Sequence, residues 1–129
     1  MSSDYHPNPD INQSNVLGTA LASCCFDPIT GYYRNGFCHT GPRDLGQHTV
    51  CVKMTADFLN FSASRGNDLI TPLPEYNFPG LQPGDYWCVC ATRWVEALEH
   101  DAAAPLKLEA CHESLLSLVD LKTLMEYAL

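Results

Sequence analysis

HTVCVKMTADFLNFSASRG, residues 48–66, is the stretch on which the fold turns. His48, Val50, Val52 and Met54 fall on one face of an extended chain, and Thr49, Cys51 and Lys53 on the other, the period of two that a half-covered strand requires. At Thr55 the period lengthens. Thr55 offers a side-chain acceptor at the N-cap of a helix over 56–65, Phe58, Leu59 and Ser62 share its buried face, and Gly66 ends it. The spacing predicts a strand followed at once by a helix.

The same switch recurs twice downstream. Tyr86 to Ala91 is the second predicted strand, with Trp87, Val89 and Ala91 on one face and Cys88 and Cys90 on the other; Thr92 caps a helix bearing Trp94, Ala97 and Leu98. Leu106 to Cys111 alternates Leu106, Leu108 and Ala110 against Lys107, Glu109 and Cys111 as a third strand. A short helix over 113–119 follows. Asp120 caps a last helix in which Leu121, Leu124, Met125 and Ala128 match the i, i+3, i+4, i+7 pattern of a core-facing stripe. This order favours an α+β domain with a mixed sheet and about three helices; a small parallel α/β sheet is the alternative.

The flanking segments are less regular. Residues 1–14 are rich in Ser, Asn, Asp and Pro and are expected as a disordered tail, leaving 15–129 as one globular domain. The stretch from Asn15 to Gln47 reads as loops and a short hairpin, with a turn at Asp27-Pro28-Ile29-Thr30-Gly31 and a short strand at Tyr32-Tyr33-Arg34. Asn67 to Asp85 holds Pro72, Pro74, Pro79, Gly80, Pro83 and Gly84 without periodicity, and exceeds the about 12–15 residues usual for a structureless loop. It is either a binding segment or a proline-stiffened cover over the sheet.

Composition narrows the classes of function. At 129 residues the chain can build an ordinary core without staples. Its first residues form no secretory signal and no segment is apolar enough to span a bilayer, so a cytoplasmic location is expected. A net charge of −8 with seven Lys and Arg argues against nucleic acid and against anionic membrane surfaces. Seven cysteines, an odd number in an expected reducing compartment, are read as free thiols or ligands rather than structural bridges. No phosphate loop, nucleophile elbow, His-Glu-x-x-His motif or calcium loop occurs.

Several motifs occur together: Asn15-Val16-Leu17-Gly18, Thr30-Gly31-Tyr32-Tyr33-Arg34, Gly46-Gln47-His48-Thr49-Val50-Cys51, Gly66-Asn67-Asp68-Leu69, and Phe78-Pro79-Gly80-Leu81 running on to Gly84-Asp85-Tyr86-Trp87-Cys88-Val89-Cys90. From about Asn15 to its end the chain resembles a group of small bacterial proteins grouped as domain-of-unknown-function family twenty-two thirty-seven. The resemblance brings no activity. It implies that Cys24, Cys88, Cys90, His48, Asp85, Trp87, Arg93, Trp94 and His112 belong to the family pattern, while Cys25, Phe37 and Cys111 depart from it. Cys24, Cys38, Cys51, Cys88 and Cys90 remain as the cysteines of interest.

Three constellations could carry chemistry. Cys88 and Cys90 project from one face of a strand; with Cys51, Cys24 or Cys38 and with His39 or His48 they could surround zinc, or simply pack as small hydrophobes. Cys90 stands just before a helix N-terminus, and with His48 or His112 as base it could serve as a nucleophile. His48 and His112 meet only if their strands run antiparallel. Asn67, Asp68 and Asp85 bracket the long loop, while Arg34 or Arg93 is either a structural partner of these acids or a clamp for a carboxylate or phosphate. The sequence thus points to a small binding or accessory protein with a Cys/His-bearing pocket, zinc being its candidate cofactor and a small anionic ligand or a protein its candidate partner. A thiol- or metal-dependent enzyme acting on an anionic metabolite, and an interaction module built on residues 67–85, are the alternatives. The sequence leaves oligomeric state open.

Overall fold

The computed structural model describes residues 9–129, so residues 1–8 of the expected tail lie outside the described residues. At the end of that tail, Gln13 exchanges side-chain hydrogen bonds with the backbone of Thr40 (3.0 Å each), and Ser14 O accepts from Glu113 N (2.9 Å).

The architecture is α+β, and the parallel alternative is not favoured. β1 (His48–Lys53) pairs antiparallel with β2 (Tyr86–Cys90) as a two-stranded sheet. Cys51 lies opposite Cys88, Val50 opposite Val89 and Val52 opposite Trp87; after an irregularity between His48 and Val50, His48 lies opposite Cys90. α1 (Ala56–Ser64) starts as its sequence requires, with Thr55 Oγ1 accepting from Phe58 N (3.1 Å), and buries Phe58, Leu59 and Ser62. α2 (Ala91–Glu99) follows β2 without a loop; its N-cap is Cys90, two residues earlier than Thr92. α3 (Leu121–Glu126) begins where Asp120 Oδ1 accepts from Thr123 N (2.9 Å). It buries Leu124 but leaves Met125, within the helix, and Ala128, past its end, outward.

The third predicted strand is not regular. Leu106 bridges Val52 and Ala128, and His112 N donates to Thr49 O (2.9 Å), so the segment meets the free edge of β1 at both ends. Between them Leu108–Ala110 coils into a 3-10 turn. The N-terminal loops take the groups a strand would have used: Glu109 O accepts from Asn15 Nδ2 (3.0 Å) and Ala22 N (2.9 Å), and Lys107 Nζ donates to Ser23 O (2.7 Å). Glu113–Ser117, predicted as a short helix, is likewise 3-10. Tyr32 to Arg34, expected as a strand, is a turn, closed by Arg34 N donating to Gly31 O (3.0 Å) with Arg34 at φ 53°.

The core gathers Val50, Val52, Met54, Phe58, Trp94, Leu106, Leu115 and Leu124, all buried; Trp94 settles its indole N–H on Ala104 O (3.0 Å). The long segment from Asn67 to Asp85 is anchored rather than loose. Leu81 N donates to Leu69 O (2.9 Å), Gly84 N to Met54 O (2.8 Å), and Phe78 sits edge-on to Trp87 with centroids 5.3 Å apart. Gly80, at φ 78°, lets the chain pass so close to Ile70 O that a Cβ would collide with it.

Asn15 is the polar rivet between the N-terminal loops and the irregular segment. Only 1% exposed, it accepts from Leu17 N (2.9 Å) and Thr19 N (3.0 Å) while donating to Ala20 O (3.1 Å) and Glu109 O (3.0 Å). Asn15→Ala strands several buried groups and is expected to cost about 3 kcal/mol. Thr55→Ala removes a single cap and is expected to cost about 1 kcal/mol. Urea unfolding midpoints at constant m-value check the ranking; equal costs would refute it.

Candidate functional site

Four of the cysteines are paired. Cys24 bonds to Cys51 and Cys38 to Cys88, with Cα separations of 5.7 and 5.5 Å. This corrects the expectation of free thiols or ligands throughout. The cause lies in the sheet register: Cys51 and Cys88 face each other and send both sulfurs to the side covered by the N-terminal loops. Cys24, Cys38 and Cys88 place their Sγ atoms within 4.8 Å of one another, so the two bonds form one buried sulfur layer. Cys25, Cys90 and Cys111 remain free thiols. Cys111 is buried and inert, since burial pushes its thiol up to about 12.

A cleft of about 520 Å³ opens between β2, the turn at Gly31–Arg34 and the long loop. Arg34 lies with its guanidinium carbon 5.0 Å from the Trp87 ring centroid, both lining the cleft. Arg34 Nη1 donates to Gly31 O (2.6 Å), and burial pulls its pKa below the ordinary value. Among the described residues no carboxylate lies within ion-pair distance of it. Asp68, which also lines the cleft, spends its carboxylate on Ile70 N (2.8 Å) and Thr71 (Oγ1, 2.6 Å), bonds that hold it below the usual carboxylate range. Asn67 turns inward to Ser62, Nδ2 donating to Oγ (3.0 Å) and its own carbonyl accepting from the same hydroxyl (2.8 Å).

His48 and Cys90 enter the same cleft as cross-strand neighbours. The His48 Nδ1 lies 2.6 Å from Asp44 Oδ1, and the other Asp44 oxygen accepts from His48 N (2.9 Å) and Thr40 Oγ1 (3.0 Å). The Asp44 side chain is fully buried. Burial alone would raise its pKa, but the ring and backbone bonds to His48, the attraction of that ring and the Thr40 bond together outweigh it and leave the carboxyl below its ordinary value.

The remaining sequence candidates separate from this cleft. His112 is buried at the start of the 113–117 turn, its Nδ1 accepting from Ser114 N (3.0 Å), with burial lowering its pKa. Asp85 caps its own turn through Gln82 N (2.9 Å), and Arg93 bonds Arg65 O (3.0 Å) and pairs with Glu96 (3.5 Å). Among the described residues, none of the ion pairs found joins Asp68 or Asp85 to an arginine. Asp44, Tyr32 and Tyr76 were missed in the sequence; four residues separate Asp44 from His48, and with no helix there the spacing carried no signal. Trp87 is buried in the core, and its ring also forms a wall of the cleft.

Fold and site define a small α+β protein with an arginine-bearing cleft backed by a layer of paired cysteines. The chain belongs to the family described as uncharacterized protein conserved in bacteria (DUF2237), whose model matches residues 14–128. No curated protein matches it. Among the described residues no helix is long and apolar enough to cross a membrane.

Protein isolated without reductant and then unfolded is expected to expose three thiols, Cys25, Cys90 and Cys111. Reduction raises the count to seven. In the folded state Cys111 stays silent. Seven thiols before reduction would remove both bonds.

Proposed function

We propose that the protein is a small-molecule-binding module whose cleft holds an anionic ligand with an aromatic or apolar body. One observation carries this reading: Arg34, solvent-exposed at the cleft and set over the Trp87 face, has no ionic partner among the described residues, in a chain whose net charge is −8. An acidic protein has carboxylates to spare, and a guanidinium kept from them in a cleft is suited to a carboxylate or phosphate from outside. Leu73, Tyr76 and Phe78 supply the apolar wall. Because these loop residues face the cleft, they favour a small ligand over a protein partner for residues 67–85.

Phenylacetate, with phenylacetamide as its neutral twin, tests the proposal. The acid is expected to raise the unfolding temperature and the amide not to, and Arg34→Gln to weaken the acid about tenfold or more. Equal effects of acid and amide, or none from a panel of aromatic carboxylates and phosphates, would refute it.

The sulfur layer supports a second reading. A dithiol reductant delivers two electrons and two protons to each disulfide, and the four thiols of Cys24, Cys38, Cys51 and Cys88 can then lose their protons to solvent and bind zinc as thiolates. Tetrahedral ligation at about 2.3 Å per bond sets sulfurs about 3.8 Å apart, which the 4.8 Å grouping of Cys24, Cys38 and Cys88 accommodates. The ligand set is not the Cys88, Cys90, Cys51 and His48 set weighed from sequence, since Cys90 and His48 line the cleft. A cytoplasmic location is proposed with this form, since a reducing compartment favours thiols. Anaerobically reduced protein is expected to hold one zinc, lost in Cys38→Ser and kept in Cys90→Ser; metal-free reduced protein in zinc-supplied buffer would defeat the idea.

A further inference from the structure

We infer that Cys90, His48 and Asp44 form a thiol relay in the cleft, which accepts the acyl group of an ester or thioester whose acyl part also bears an anionic group. Only the anionic part rests on the Arg34 reading; the relay stands on its own geometry.

Three placements build it. The register sets His48 directly opposite Cys90, and directly opposed residues of antiparallel strands project to the same side, their Cβ atoms about 5 Å apart. The buried Asp44 carboxylate holds Nδ1 of the ring at 2.6 Å, which fixes Nδ1 as the protonated nitrogen and leaves Nε2 as the basic one. Cys90 is the N-cap of the nine-residue α2, at the positive end of the helix dipole, and its sulfur lies 3.3 Å from Thr92 Oγ1. The first turn of α2 carries no acidic residue to oppose this.

The surroundings keep the ring in place. Tyr32 stacks on His48 with centroids 6.2 Å apart, and a Cβ on Gly46 would stand 2.8 Å from His48 Cε1, so residue 46 leaves just the room the imidazole occupies. The titratable groups that share the cleft with Cys90 are His48 from β1, Arg34 and Tyr32 from the N-terminal turn, and Asp68 and Tyr76 from the long loop. Arg93 on α2 itself pairs with Glu96. Asp68 alone is anionic, and its charge is engaged by Thr71 and two amides.

The chemistry balances without a further reactant. His48 Nε2 takes the Cys90 thiol proton as Sγ forms its bond to the acyl carbon. The bond from that carbon to the leaving oxygen or sulfur breaks, and the imidazolium returns the proton to the departing atom. Water, deprotonated by the same nitrogen, then splits the acyl-thioester into a carboxylic acid and free Cys90. Cys90 and His48 are the catalytic residues; Asp44 is a positioning residue.

Alkylation of the folded, full-length protein, read peptide by peptide, tests the relay, with Cys25 as the internal reference thiol and Cys111 as the marker of unfolding. At about pH 6, where an ordinary thiol of pKa about 8.5 is protonated, iodoacetamide is expected to modify Cys90 at least about tenfold faster than Cys25. His48→Gln is expected to abolish that lead, and Asp44→Asn to shrink it and move the pH profile of Cys90 towards that of Cys25. With 4-nitrophenyl acetate, a burst of nitrophenolate and an acetyl group on Cys90 are expected. Equal rates at Cys90 and Cys25, or a Cys90 rate indifferent to His48→Gln with Cys111 still silent, would overturn the relay. Iodoacetate, which carries a carboxylate, is expected to outpace iodoacetamide at Cys90. A fast Cys90 with no preference for iodoacetate would overturn the Arg34 reading and support the relay alone.

Discussion

The antiparallel register of β1 and β2 is the constraint on which the rest of the molecule depends. With Cys51 opposite Cys88, both sulfurs leave the ribbon on one side, where Cys24 and Cys38 meet them and tie down two N-terminal loops that have little regular structure of their own. On the other side Val50, Val52, Val89 and Trp87 are buried. A slip of one residue would exchange the two faces, turning the valines towards the loops and the cysteines away from their partners. Once tied, the loops act as walls: Thr30 Oγ1 accepts from Cys88 N (2.9 Å), and the next few residues deliver Arg34 onto Trp87.

The irregularity at the start of β1 then decides what the cleft contains. Gln47, with φ 49°, is held in a conformation side-chain-bearing residues rarely adopt, and its carbonyl accepts from both Thr49 N (2.8 Å) and Ala91 N (3.0 Å). The first residue of α2 and the first residues of β1 are thereby fastened to one oxygen. Arg34, at φ 53°, is the second such residue on the cleft's border. Strain at two points beside one cavity is stored where the surrounding bonds over-determine it, a pattern typical of sites that must hold side chains in fixed relation.

Much of this was legible in the sequence where the signal was local. The strand-to-helix switch at Thr55, the faces of α1, and the cap at Asp120 depend on side chains within a few residues of one another, and each is found as its spacing requires. The third strand was not legible, because its polar groups are claimed by Asn15 and Ala22, about ninety residues away. Strand parity correctly put Cys88 and Cys90 on one face but could not tell them apart. What separates them is the partner across the ribbon: Cys88 meets Cys51 beneath the loops, whereas Cys90 meets His48 at the open end. The reading of the cysteines as unbridged failed for the same reason, since neither count nor compartment reveals which strand positions will face each other.

Charge placement completes the logic of the cleft. Two carboxylates line or support it, and both are engaged by local bonds: Asp68 by Thr71 and neighbouring amides, Asp44 by His48 and Thr40. Asp85 closes a turn outside. With these groups engaged, the positive field of Arg34 is not cancelled from within, and the flat indole beneath it removes water from one side of the guanidinium. The rest of the Arg34 side chain stays exposed, and so open to an anion that enters the cleft. In a body of net charge −8, long-range attraction does nothing to draw that anion in, so selectivity must arise at short range, from the bidentate geometry of one arginine and the apolar wall opposite it.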